Sequence, residues 1–261
     1  MASEECSILV IGFDSYKDCW PQFDWSFSRY LHGAASKTFF VSGFENYVSN
    51  CGIQNIKAGD LSFSSRLSAG LKEIQTSYVF LLLEDFLPCH GIQASDLSSV
   101  IQMMKEKNVS FCQMDLVVSR PRPRPARLGP IKLTFGNHYR LNLEPGIWKT
   151  DALLGLLSFA SYSTPADFEV KINASTSLIS GQLRHNLHSF INLIEKGKVT
   201  FYGQQFLIKN QLPVPPRDVL TKKETDRSIF RNACSSHAPS FLRKAIKRHR
   251  RKNGSTFYSD N

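Results

Sequence analysis

YVFLLLEDFL, Tyr78 to Leu87, runs from an aromatic through an unbroken apolar stretch into two adjacent carboxylates, Glu84 and Asp85, and then returns to Phe86-Leu87. An apolar run without alternation, too short to be a helix of its own, is the pattern of a strand covered on both faces, as in a parallel sheet between helical layers. The carboxylates then fall at the carboxyl end of that strand. In open α/β sheets, ligands gather outside those ends, where the connecting loops converge over a crevice.

The flanking segments extend the same pattern. Just upstream, SSRLSAGLKEIQ (Ser64 to Gln75) places Leu67, Leu71 and Ile74 at helical spacing. Ser7 to Phe13 and Lys37 to Ser42 read as strands, with Trp20, Phe23, Trp25 and Phe27 in a helical or irregular stretch between them. Downstream, Ser95 caps a helix to Lys107 that leads into a strand over Val109 to Leu116. This alternation predicts an α/β fold, a mostly parallel central sheet flanked by helices.

The pattern changes at SRPRPRPARLGP, Ser119 to Pro130, where alternating prolines exclude a helix or an inner strand and require a loop. Ile131 to Phe135 and His138 to Leu143 then read as a hairpin turning at Gly136-Asn137. Helices are expected over Lys149 to Ser158 and Arg184 to Lys196, and a late strand pair over Val199 to Ile208, turning at Gly203. From Pro213 the composition shifts to proline and charge, which predicts a compact domain over residues 1–212 and a basic tail over 213–261.

With 42 % hydrophobic residues and 19 Phe among 261, the chain has material for a full core. The opening MASEEC is acidic where a secretory leader is basic, and no apolar run reaches a bilayer-spanning length. Six cysteines form no CxxC pair and no zinc spacing. A cytoplasmic location is therefore expected. No nucleophile elbow and no glycine-rich phosphate loop is present, which argues against hydrolase and kinase chemistry. His185 and His188 share a helical face without a carboxylate to complete a metal site, and read as packing or surface residues.

The net charge of +10 is concentrated: 12 Lys/Arg against 3 Asp/Glu lie between Arg217 and Lys252, and 5 Lys/Arg without an acid between Arg120 and Lys132. In SFLRKAIKRHRRK, Ser240 is a candidate N-cap. Phe241, Leu242, Ala245, Ile246 and His249 fall on one side of a tail helix whose other side is basic. This pattern suits either a solvated basic tail or peripheral attachment to the anionic inner face of a plasma membrane. Nucleic acid is not the expected partner, because the basic residues lie in a loop and a tail rather than on a folded face interleaved with aromatics.

Paired carboxylates supply the hard oxygens that Mg²⁺ or Mn²⁺ share with substrate phosphates. Successive strand residues point to opposite faces, so Glu84 and Asp85 reach one ion only if the strand ends at the pair. Asp14 and Tyr16 lie just past the first strand, and Arg66 in the helix before the acidic strand. Glu169, with Asp167 second, is the candidate base, since apolar Phe168 beside it would raise a carboxyl pKa. Trp148 is expected to pack.

Four segments, ILVIGFDSYKDCW (Ile8 to Trp20), SSRLSAGLKEIQTSYVFLLLEDFL (Ser64 to Leu87), LNLEPGIWKTDALLGLL (Leu141 to Leu157) and PADFE (Pro165 to Glu169), together resemble a family of bacterial glycosyltransferase-like proteins with a GT-A-type fold, found among surface-polysaccharide genes. The resemblance implies a nucleotide-sugar donor, a glycan or lipid-linked acceptor and a divalent cation, with Glu84-Asp85 standing where other GT-A enzymes carry Asp-x-Asp; for such a transfer Asp14 and Tyr16 are candidates to hold the base or ribose, Arg66 to meet the diphosphate, and Trp148, if it does not simply pack, to floor the sugar site. Where the family has Trp-Ser before Arg-Leu and Pro-Trp before the acid, this chain has Ser64-Ser65 and Pro165-Ala166, which removes an aromatic platform beside the acceptor. The competing class is a non-catalytic protein of the same fold that binds polyanionic glycan or nucleic acid through its basic loop and tail.

Overall fold

The computed structural model describes residues 4–115, 129–134, 140–175, 177–183 and 189–237. The proline-arginine loop up to residue 128, His185, His188 and the tail helix expected from Ser240 lie outside these residues.

The first half alternates as expected. Strands β1 (Cys6–Ile11), β2 (Thr38–Ser42), β3 (Gln54–Lys57) and β4 (Tyr78–Leu83) are joined through helices α1 (Trp20–Tyr30) and α2 (Phe63–Glu73). After the short β5 (Phe86–Pro88), helix α3 (Ala94–Glu106) leads to β6 (Phe111–Gln113), and β7 (Ile131–Thr134) follows. The second half adds β8 (Gly146–Lys149), α4 (Thr150–Phe159), α5 (Pro165–Ser175), β9 (Ser180–Leu183) and β10 (Phe190–Asn192). It ends with β11 (Ile194–Glu195), β12 (Lys198–Val199), α6 (Phe201–Lys209) and α7 (Lys222–His237).

Among the described residues an eight-stranded sheet has the order β3-β2-β1-β4-β8-β6-β9-β7. β1 to β4, β6 and β9 run one way, while β8 and β7 run against them. The fold is thus α/β with a mostly parallel central sheet flanked by helices. Residues of a strand point alternately to its two faces, and both faces are covered here. Ile8, Val10, Phe80 and Leu82 enter one core with α1 and α3; Leu9, Ile11, Val79 and Leu81 enter the other with α2, α4 and α5. This is the physical reason for the unbroken apolar run at β4.

Four expectations fail in the second half. β7 pairs antiparallel with β9, and of the expected second hairpin strand residues 138 and 139 lie outside the described residues while 140–143 are bends and irregular chain. The helix expected over Arg184 to Lys196 gives way, from residue 189 on, to β10, which pairs with β5, and to β11. The strand pair expected over Val199 to Ile208 is helix α6: the Thr200 hydroxyl accepts the Gly203 amide at 3.0 Å, and this N-cap outweighs the strand propensity of the aromatic sequence. Nor does packing stop at Pro213, as the expected 1–212 domain requires. Leu220 donates to the Val199 carbonyl at 2.8 Å, and Val214 and Val219 pack on the first core.

Arg217 holds this C-terminal segment down. Its guanidinium meets Asp18 through two hydrogen bonds of 2.6 Å, donates to the Ser15 carbonyl at 2.6 Å, and lies 4.6 Å from the centroid of the Tyr16 ring. Forked, partly buried pairs of this kind are stronger than exposed ones. A double-mutant cycle of Arg217→Ala and Asp18→Asn should give a coupling free energy of about 1–3 kcal/mol in chemical denaturation. A value near zero would mark the contact as ornamental.

Candidate functional site

β1, β2 and β4 deliver their carboxyl ends to one edge of the sheet, and the charged candidates collect there. β4 ends at Leu83, so Glu84 and Asp85 occupy the turn that follows, as their joint use demands. Glu84 is 1 % exposed; one oxygen accepts the Phe13 amide at 2.7 Å and the other, Oε2, has no partner among the described residues. Asp85 Oδ1 is likewise buried without a partner among them, while its backbone carbonyl accepts the Leu193 amide at 2.8 Å. Burial, aided by the charge of Asp85, pushes the Glu84 carboxyl well above its ordinary pKa, and burial raises Asp85 to about 7.

Arg66 reaches the same edge from α2 and is 2 % exposed. Its Nη2 donates to the Leu61 carbonyl at 2.6 Å and its guanidinium lies 4.4 Å from the Phe13 ring centroid. Nε and Nη1 are buried and have no acceptor among the described residues. Burial lowers its pKa, opposed by the charges of Asp14 and Glu84. One edge therefore holds carboxylate oxygens and guanidinium N–H groups that have no hydrogen-bond partner among the described residues, although the charges of Arg66 and Glu84 act on each other. Each such group costs about 1–3 kcal/mol, and more when charged, unless water or a ligand completes it.

Tyr16 joins this group. Burial raises its hydroxyl pKa, and the charges of Asp85 and Glu84 raise it further. Its φ of −113° and ψ of 17° break the 3₁₀ turn of Asp14–Cys19, with Arg217 lying against its ring. Asp14 is occupied: its carboxylate accepts the amides of Gly43 at 2.8 Å, Phe44 at 2.7 Å and Glu45 at 3.2 Å. Burial pushes its pKa up, but these three donors more than offset that and hold it below the usual range. In this arrangement Asp14 shapes the loop after β2, in place of the base or ribose contact expected of it.

Trp148 lies elsewhere. It is fully buried in the second core, 4.3 Å from Phe111 and 6.3 Å from Phe168 between ring centroids, and cannot floor a sugar site. Its place on β8, an inner strand, dictates this. Asp167 is engaged with Lys171 at 2.9 Å and with the Ser163 amide at 3.2 Å, a helix-start role. Glu169 accepts the Leu143 amide at 2.8 Å, and burial raises its carboxyl to about 7. Leu143 leads into β8, whose first residue pairs with Leu81 and Gln113, so Glu169 borders the same edge of the sheet as Glu84.

Sequence reasoning missed three residues at this edge. Asp115 follows β6 and accepts the amides of Ser189 at 2.5 Å and Phe190 at 3.1 Å. Glu144 accepts from Gln113. An acid just past the end of a strand was the available signal for Asp115; Arg217 gave none, because its partners lie about two hundred residues away.

The raised carboxyls set a pH dependence. Unfolded, these groups release protons near pH 4; folded, Asp85 and Glu169 do so near 7. Between these values the folded protein binds more protons, so their contribution to stability is greatest below about pH 4 and is lost as pH rises through 7. The melting temperature should fall from pH 5.5 to 8. Glu169→Gln should remove part of that fall, on the order of 2–3 kcal/mol; an unchanged profile would refute the buried carboxyl.

Among the described residues no group of three or more His, Cys, Asp or Glu can hold a metal, so an ion here would draw on the carboxylate pair and on oxygens of a ligand. The orphaned Glu84 and Asp85 oxygens fit that need. No helix among the described residues is long and apolar enough to cross a membrane. Cys6, Cys19, Cys51 and Cys112 are free thiols.

No family model and no curated protein matches this sequence. Among solved structures, the fold is similar to residues 1–349 of Staphylococcus aureus TarS, at 12 % identity over 90 % of this chain and 72 % of that one, with a TM-score of 0.45. It is also similar to the 2-C-methyl-D-erythritol 4-phosphate cytidylyltransferase of Thermus thermophilus, at 10 % identity over 77 % and 95 % of the two chains, with a TM-score of 0.45. A nucleotidyl transferase of Methanothermobacter, Mth528, is similar at 10 % identity over 70 % and 89 %, again at 0.45. These likenesses are remote, and the functional reading rests on the site.

Proposed function

We propose that this protein is a divalent-cation-dependent glycosyltransferase, moving a sugar from a nucleoside-diphosphate sugar to a glycan or lipid-linked acceptor. The observation that carries it is the gathering, at one sheet edge, of buried carboxylate oxygens and guanidinium N–H groups that have no hydrogen-bond partner among the described residues. A diphosphate bridged to Mn²⁺ or Mg²⁺ would complete both sets at once.

In this reading Asp85, assisted by Glu84, holds the cation, which supplies charge neutralisation to the departing diphosphate. Arg66 offers Nε and Nη1, which point to different sides of its guanidinium, to separate diphosphate oxygens. Tyr16 closes over the acidic pair, while Asp14 sets the loop after β2 that faces the nucleoside. Glu169, with a pKa near that of neutral solution, takes the proton of the acceptor hydroxyl as its oxygen bonds to the sugar. The basic and apolar sequence of segment 240–252 would bring the protein to an anionic membrane surface carrying a lipid-linked acceptor.

The test is thermal stabilisation of the full chain by a panel of nucleoside diphosphates and nucleotide sugars, with and without Mn²⁺. One nucleotide should stabilise in a metal-dependent manner, by about 2.7 kcal/mol at a hundredfold excess over Kd. No response to any nucleotide at millimolar concentration would overturn the reading.

A further inference from the structure

A groove of about 820 Å³ runs along α1, walled by the 45–50 loop and by Leu212-Pro213, away from the Arg66 side of the site. Its volume is that of a small-molecule site. Its charged side chains balance, Lys17 and Arg29 against Asp24 and Glu45. Lys17 pairs with Glu45 at 2.8 Å, and Asp24 accepts the hydroxyls of Tyr47 and Ser49, both at 2.8 Å, and the Asn50 amide at 3.0 Å. Arg29 rests against the Trp25 ring, 5.5 Å from its centroid.

What is left for a visitor is uncharged. Trp25, Pro21 and Val48, the last 78 % exposed, offer apolar surface, and Asn46 and Ser28 offer an amide and a hydroxyl. Two of the lining residues are also incompletely bonded among the described residues. Gln22, 3 % exposed, gives its amide N–H to the Pro213 carbonyl at 2.8 Å but leaves its oxygen without a donor, and Trp20, 5 % exposed, leaves its indole N–H without an acceptor. One wall thus lacks a donor and an acceptor within a turn of helix. A hydroxyl group is both.

We propose that this groove binds a neutral oligosaccharide chain. Ring faces of a sugar present C–H groups suited to the aromatic and proline surface, its hydroxyls both donate and accept, and it brings no charge that the groove would have to neutralise. The groove is separate from the Glu84–Asp85 centre, and the proposal stands independently of the transferase reading. Lys17, which lines it, belongs to the turn Asp14–Cys19.

The experiment is saturation-transfer NMR on the full chain with maltopentaose, cellopentaose and N-acetylchitopentaose, at 50 and 500 mM NaCl. At least one should receive saturation, little changed by salt. Trp25→Ala should weaken binding tenfold or more. Because Trp25 also packs on Tyr30 and Phe206, a second variant, Ser28→Arg, fills the groove from an exposed position without touching the core. Transfer to none of the three sugars, or transfer retained in Ser28→Arg, would overturn the proposal. Mn²⁺-dependent nucleotide stabilisation, measured on the same variants, should be unchanged; its absence from the native chain would sink the transferase reading and leave the groove untouched.

Discussion

Asp85→Asn is expected to raise the melting temperature of the ligand-free protein at pH 8 and, in the same molecule, to erase its stabilisation by nucleotide and Mn²⁺. The two effects share one cause. In the native chain a carboxylate is held where burial disfavours its charge and no partner compensates it, so removing the charge relieves the folded state. Asparagine has nearly the same shape, which leaves the Leu193 contact to the backbone carbonyl intact. It is also a far poorer ligand for a hard cation, so at ligand concentrations a hundredfold above the native Kd, the whole stabilisation of about 2.7 kcal/mol should vanish. Glu84→Gln should behave alike but with a smaller gain, since Glu84 also accepts the Phe13 amide, a bond glutamine preserves. A variant that keeps its metal-dependent response would remove Asp85 from the site. A variant that melts lower would show that its charge is compensated after all.

Two glycines should respond to alanine in opposite directions. A Cβ on Gly12 would sit 2.2 and 2.3 Å from two atoms of the Phe40 ring. That ring cannot yield cheaply, because it stacks 3.8 Å from Tyr47 and meets Trp20 edge-on at 5.1 Å. Gly12→Ala should therefore cost about 3 kcal/mol, the upper range for overpacking, and lower the melting temperature by roughly 6–12 °C. Gly155, in α4, has nothing within 4 Å of the same position, and Gly155→Ala should stabilise by about 0.5–1 kcal/mol through helix propensity alone. Equal losses at both positions, read from denaturant midpoints, would refute the packing argument at Gly12. That variant also has a functional readout, because Gly12 precedes the Phe13 amide that orients Glu84.

The first half of the fold was legible because its elements carry strong periods. β1, β2 and β4 are apolar runs covered on both faces, and α2 and α3 space their apolar residues for one side. β3 was missed because QNIK, half exposed at a sheet edge, has no apolar pattern to read. In the second half, tertiary contacts override local signals. GIWK becomes an inner antiparallel strand because β4 and β6 both need a neighbour, and FYGQQFLIK becomes a helix through its threonine cap. The acidic pair could be placed at a strand end from sequence. That one oxygen of Glu84 would be spent on Phe13, or that Asp14 would be consumed by the loop after β2, depends on chain segments meeting in space, and no spacing encodes it.

The position of β8 has a consequence for how the protein is made. It lies between β4 and β6 in the sheet yet follows both in the chain. On the ribosome, a nascent chain that has emerged as far as β7 can join β1 to β4, but β4, the most apolar strand, still shows an open edge, and β6 has neither of its neighbours. Until β8 is translated, that edge is a template for the strands of other chains. Synthesis is therefore the stage at which this protein most needs a chaperone, and slow codons placed just before β8 would be harmful where elsewhere they would pass unnoticed.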